Sequence, residues 1–156
     1  EVHKIIMENM LRAMDWRRVI FWLKDSKSGA LVGRISMGEG SDAVKALFKV
    51  PVDRVDPAKA DLFGAVCLKN LDTLIADAST ASVSARLPTW FKDQVQSPTF
   101  LLLPMVVKRA NQQVVLGLIY ADKARAGTLK VDERELSLLR TLRNQAIMAF
   151  KQSSGG

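Results

Sequence analysis

Apolar and polar positions are most regularly ordered between residues 99 and 123, "TFLLLPMVVKRANQQVVLGLIYADK". Two apolar runs flank a polar turn, which predicts paired strands over 99–108 and 113–122. Pro104 interrupts the first run. Proline has no backbone donor, so it marks a bulge or a missing ladder bond. Upstream, "DWRRVIFWLKD" is apolar on both faces, with Val19, Phe21 and Leu23 alternating with Ile20 and Trp22, as a central strand requires. "SKSG" (26–29) reads as a turn and "ALVGRISMG" (30–38) as the paired strand. "FKVPV" (48–52) reads as a short edge strand because of Pro51, and "DTLIAD" (72–77) as another short strand.

Helical spacing governs the two ends. Val2, Ile5, Ile6, Met10, Leu11 and Met14 predict an amphipathic first helix. "VDERELSLLRTLRNQAIMAFKQ" predicts a long last helix, capped by Asp132 with Glu135 three residues on, and striped by Leu136, Leu139, Leu142, Ala146 and Phe150. A middle helix is expected over 56–70, with Asp56 as cap, Pro57 at the first helical position and Asn70 as the stop. Residues 39–47 read as a loop or short helix. "RLPTWFKDQV" (86–95) reads as a short helix from Pro88, inside the irregular stretch 78–98. The sum is an α+β chain with a mostly antiparallel sheet of about five to six strands and helices at both ends.

The chain's 156 residues suit one domain, expected over 1–152 with a polar tail at 153–156. Net charge is +7, and residues 79–156 hold 11 Lys/Arg against 5 Asp/Glu. Such an excess suggests nucleic acid first. Yet no basic run exceeds Arg17-Arg18 or Lys108-Arg109, and no nucleic-acid motif is present, so a solvated basic face is the expectation. No secretory leader is expected, and no apolar run comes near the roughly 18 residues of a membrane span. With a single cysteine, a cytoplasmic location is expected. The absence of an initiating methionine reads as a fragment of a longer protein.

Catalytic chemistry is not legible. One His and one Cys make no metal set, and no hydrolase, P-loop or dinucleotide motif occurs. Cys67 reads as buried packing and His3 as a surface residue. Asp77 and Asp122 read as strand-end caps rather than a carboxylate pair. No enzyme activity, metal or cofactor is expected.

The order and spacing of these elements resemble a GAF domain over about residues 1–152. "FLLLPMVV" followed by "VVLGLIYADK" matches the family's strand pair, with Pro104, Gly117 and Asp122 in place. "DLFGAVCLKNLDTLIADAS" matches its middle helix and strand. More narrowly, "RLPTWF", "LLLP", "GLIYAD" and "LLRTLRNQAIMAF" resemble the GAF-like region that follows an HDOD module in some bacterial signalling proteins. The resemblance implies a sheet with both terminal helices on one face and a helix-and-loop cover on the other. Three departures matter. The last hairpin turn lacks glycine, leaving Asn111 to supply any positive φ. The cyclic-nucleotide signature of the family is missing. Neither Cys67 nor His3 stands where a bilin or haem ligand would.

The resemblance further implies a pocket between sheet and cover. Arg86, Trp90, Phe91, Leu103 and Tyr120 are its candidate lining. Trp90 and Phe91 either stack on a planar ligand or plug the core. It also implies pairing of terminal helices between two copies, with Ile6, Met10, Leu139, Leu142 and Ala146 as candidates flanked by Arg140 and Arg143. The alternative is that these residues pack only within the chain. The expected function is a non-catalytic bacterial signal-transduction domain that senses a small molecule or couples domains as a homodimer. A pure interaction module is the alternative.

Overall fold

The computed structural model describes residues 2–13, 16–52, 56, 58–126 and 131–153. In chain order these form α1 (Val2–Ala13), β1 (Arg18–Asp25), β2 (Ala30–Gly38), α2 (Ser41–Lys45), β3 (Lys49–Pro51), α3 (Leu62–Lys69), β4 (Thr73–Ile75), α4 (Ala81–Ser84), a π-helical turn (Phe91–Val95), β5 (Thr99–Arg109), β6 (Gln112–Lys123) and α5 (Glu133–Ser153). The expectations for Met14, Pro57 and residues 154–156 lie outside the described residues; Ser153, assigned to the tail, belongs to α5.

The six strands form one sheet in the order β3-β2-β1-β6-β5-β4, antiparallel at every pairing. The expected α+β architecture is present, and it is the sheet arrangement of the GAF resemblance. At the centre, β6 lies close on β1: a Cβ on Gly117 would stand 2.2 Å from the Trp22 carbonyl oxygen, so only glycine fits.

The β5–β6 hairpin follows the sequence pattern closely. Its two-residue turn uses positive φ at both Ala110 (50°) and Asn111 (66°), not at Asn111 alone. That is the double left-handed turn whose twist matches a tight hairpin. A bulge falls between Met105 and Val106. Pro104 lies beyond β4, which pairs β5 only at Phe100, Leu101 and Leu102, so it occupies a stretch whose outer edge has no strand partner. Its carbonyl accepts a hydrogen bond from Arg143 of α5, which places it under the terminal helix and not at a pocket rim.

Strand alternation divides the core in two. Val19, Phe21, Leu101, Leu103 and Ile119 face α1 and α5, where Ile6, Met7, Met10, Leu139, Leu142 and Ala146 meet them. Ile20, Trp22, Phe100, Leu102, Leu118 and Tyr120 face the cover of α2, α3, α4 and the π turn. Helix α3 begins later than Asp56. Asp61 is its cap, accepting from the Gly64 amide at 2.9 Å, while Asp56 closes a separate turn at Ala58. Asn70 ends it in the left-handed conformation, as its sequence position predicts. Leu62 to Cys67 are buried all round, because the helix is wedged into the cover. Asp132 caps α5 through the Glu135 amide at 2.7 Å.

Candidate functional site

Three features share one end of the cover face. The first is a buried charge node where β1 meets β6. Arg18 pairs with Asp122 in register, and α1 returns to the sheet just before it. Asp122 is fully buried. Its Oδ1 accepts from Arg17 Nε at 3.1 Å; its Oδ2 accepts from Arg17 Nη2 at 3.1 Å, Arg18 Nε at 2.7 Å and the Tyr120 hydroxyl. A buried carboxylate is tolerable only with such compensation. The expectation that Asp122 closes its strand end by capping a turn is therefore corrected: it accepts four hydrogen bonds from three side chains inside the domain. Asp77 does close a turn, accepting from the Ser79 amide and hydroxyl. Arg18 also donates to the Val95 carbonyl at 3.3 Å, tying the end of the π turn to the node. Burial, then the Asp122 charge, raises the Tyr120 pKa well above its ordinary value, so the hydroxyl stays a donor.

The second feature is an aromatic cluster. Trp22 stands 4.3 Å from Phe48 and 5.1 Å from Phe63 between ring centroids, and Phe91 stands 5.1 Å from both Phe63 and Phe100. Half-buried Trp90 closes the top, 5.3 Å from Phe48 and 6.0 Å from Phe63. These rings fill the space between sheet and cover. The Trp22 indole N–H is buried there without a hydrogen-bond partner.

The third is a cleft of about 250 Å³ outside the cluster, between α4, the π turn and the segment entering β5. Leu87, Phe91 and Ser97 form its floor; Ser84, Lys92 and Gln96 line its walls. Gln96 holds φ at 53°, a left-handed conformation costly to a residue with a Cβ.

The candidate lining residues separate. Trp90, Phe91 and Tyr120 belong to the cover-side core. Leu103 faces the terminal helices, one residue out of phase with Leu102. Arg86 is exposed and contributes its carbonyl to the Leu62 amide. The five candidate dimer residues, Ile6, Met10, Leu139, Leu142 and Ala146, are buried within the chain. Outward from these helices stand Ile5, Leu138 and Met148, each about half exposed or more (58%, 46% and 57%). Arg140 and Arg143 both bond Asp72, at 2.8 and 2.7 Å. Cys67 is buried, and burial pushes its thiol up to about 12, which leaves it unreactive. Sequence reasoning missed Arg17, Arg18 and Ser97. The doubled arginine opening a central strand was the available signal for the first two; nothing marked Ser97.

Among the described residues, no group of His, Cys, Asp or Glu could hold a metal ion, and no helix is long and apolar enough to cross a membrane. No protein-family model and no curated protein sequence matches the chain. Solved structures do. The GAF domain/HD domain protein from Geobacter sulfurreducens aligns with TM-score 0.71 at 18% identity, over 99% of this chain and 93% of that one. The GAF domain of an Acinetobacter phosphoenolpyruvate-protein phosphotransferase aligns with TM-score 0.69 at 19% identity, over 100% and 87%. The second GAF domain of DevS from Mycobacterium smegmatis aligns with TM-score 0.67 at 16% identity, over 99% and 94%. The chain has the GAF fold.

Proposed function

We propose that this chain is a non-catalytic regulatory domain of a cytoplasmic bacterial signalling protein, coupling neighbouring domains as a homodimer through the outward faces of α1 and α5. The observation that carries this reading is the aromatic cluster. Trp22, Phe48, Phe63, Phe91, Phe100 and Tyr120 are each no more than 2% exposed, so the space between sheet and cover is occupied by the chain itself. What remains for communication is surface, and the terminal helices expose Ile5, Leu138 and Met148. The GAF domains it resembles come from signalling and phosphotransfer proteins, which supports the regulatory role. The narrower HDOD resemblance fits a domain working beside others.

Native mass spectrometry of the purified domain tests this reading. A dimer is expected; a strict monomer at high concentration sinks the coupling role. Small-molecule sensing is a second reading, favoured by the cleft beside the π turn. Nucleic-acid binding is disfavoured because Arg17, Arg18, Arg140 and Arg143 are already engaged by Asp122 and Asp72. A gel shift at low salt is expected to show no complex.

A further inference from the structure

We infer that the cleft beside the π turn is a binding site for a small carboxylate, and that its occupancy is read at the exit of α1 through Asp122. The inference rests on the regulatory reading only for its consequence; binding itself is measured separately.

Size comes first. A cavity of about 250 Å³ is below the roughly 300–1,000 Å³ of sites for drug-sized ligands. The occupant is therefore compact. Chemistry comes next. No carboxylate lines the cleft; of the two acids next to lining residues in sequence, Asp77 is occupied by the Ser79 amide and hydroxyl, and Asp93 is exposed outside the lining. The lining includes Lys92, Gln96 and Ser84, whose side chains carry hydrogen-bond donors. The floor offers the apolar edges of Leu87 and Phe91. Donors on the walls over an apolar floor suit an anionic head carrying a short apolar body.

The walls also depart from regular helical backbone. Lys92 sits in a π turn, which holds one more residue per turn than an α-helix and recurs at functional sites. Gln96 follows in the left-handed region. An ion bridging Lys92 and Gln96 spans both departures.

The wiring behind the cleft is short. The Val95 carbonyl accepts from Arg18 at 3.3 Å, and Phe91 of the cleft floor stands edge-on to Tyr120, 6.0 Å between ring centroids. Arg18 and Tyr120 both end on Asp122. Asp122 holds the Arg17 side chain, and its carbonyl holds the Arg17 amide at 2.8 Å. Trp16, the preceding residue, donates its amide to Leu11 of α1. Movement at residues 95–97 thus reaches α1 through one carboxylate. The position is tightly fixed: a Cβ on Gly38 would stand 2.3 Å from the Arg17 carbonyl oxygen.

The test is an amide-resolved NMR titration of the domain with sodium butyrate and sodium glutamate, against sodium chloride at matched ionic strength. Saturable shifts at Ser84, Lys92, Gln96 and Ser97 are expected, with a second set at Trp16 and Arg17, and none with chloride. Lys92→Gln, on an exposed side chain, weakens binding about tenfold, the worth of one charge-assisted hydrogen bond. Tyr120→Phe keeps the first set of shifts and reduces the second, because the branch from Val95 through Arg18 remains; its spectral dispersion reports that it is folded. Absence of saturable shifts with either salt, or shifts indifferent to Lys92→Gln, overturns the site. A second set that survives Tyr120→Phe unchanged overturns the relay. A saturable titration in a strictly monomeric chain refutes the dimer and leaves the site standing.

Discussion

The two faces of the sheet are filled by different chemistry. Against α1 and α5 the core is largely aliphatic: Ile6, Met10, Val19, Ile119, Leu139, Leu142 and Ala146. Against the cover it is aromatic: Trp22, Phe48, Phe63, Phe91, Phe100 and Tyr120. Element length accounts for the contrast. Helices of 12 and 21 residues lay continuous stripes on the sheet, and modest side chains interdigitate along them. The cover is assembled from pieces of 5, 8, 4 and 5 residues that cannot share one stripe. Gaps between short pieces are wider, and rings span them with large buried area. The regular face holds the domain together; the irregular face has the strained backbone and the cleft.

The largest test breaks the cover face alone. Phe63→Ala removes a ring that touches Trp22, Trp90, Phe91 and Phe100. It is expected to cost about 3–5 kcal/mol in urea unfolding. Native-state hydrogen exchange should then rise in α3 and the π turn, with α1 and α5 still protected. Equal loss of protection on both faces would show one cooperative unit and erase the contrast.

Next comes the node that joins the faces. Asp122→Asn leaves Arg18, with a side chain only 7% exposed, facing a neutral partner. The expected loss is about 3 kcal/mol, the low end for breaking a buried pair. Here exchange should rise on both sides of the sheet, at the π turn and at the start of β1. An effect confined to one side would mean the node does not connect them.

A pH titration sharpens the comparison further, because both groups with raised pKa values among the Tyr and Cys residues lie in the cover-side core. Burial pushes Cys67 from 9.0 to about 12, and it also raises Tyr120. A raised acid keeps its proton longer in the folded state, so above pH 9 the unfolded chain binds fewer protons and stability falls as pH rises toward 12. Cys67→Ala should flatten part of that fall. An unchanged alkaline slope in Cys67→Ala would remove the thiol from the account.

Legibility in the sequence follows the same division. The β5–β6 hairpin, the α5 cap at Asp132 and the α3 stop at Asn70 were all readable, since each rests on local periodicity or one residue's conformational preference. The cover was not. Asp56 and Asp61 are both plausible caps, and only packing against β5 and β6 selects Asp61. "RLPTWFKDQV" carried a helix signal, but its π turn depends on Phe91 and Val95 both reaching the core. Leu103 was assigned to the wrong side for a readable reason: strand alternation already puts it opposite Leu102 and Tyr120. Asp122 needed the β1–β6 register, which joins residues 104 apart and has no local signature.

The smallest expected effect is the control for all of these. Ala110 holds φ at 50° in the β5–β6 turn, where glycine carries no steric penalty. Ala110→Gly relieves the Cβ clash but adds freedom to the unfolded chain, so the net gain is about 0.5 kcal/mol. Strands β5 and β6 supply residues to both faces, Leu102 and Tyr120 to one and Leu103 and Ile119 to the other. A gain made at their turn should therefore protect both faces equally in hydrogen exchange. If it protected only the helix face, the cover would be opening independently of the hairpin beneath it, and the division between the faces would lie within the sheet itself.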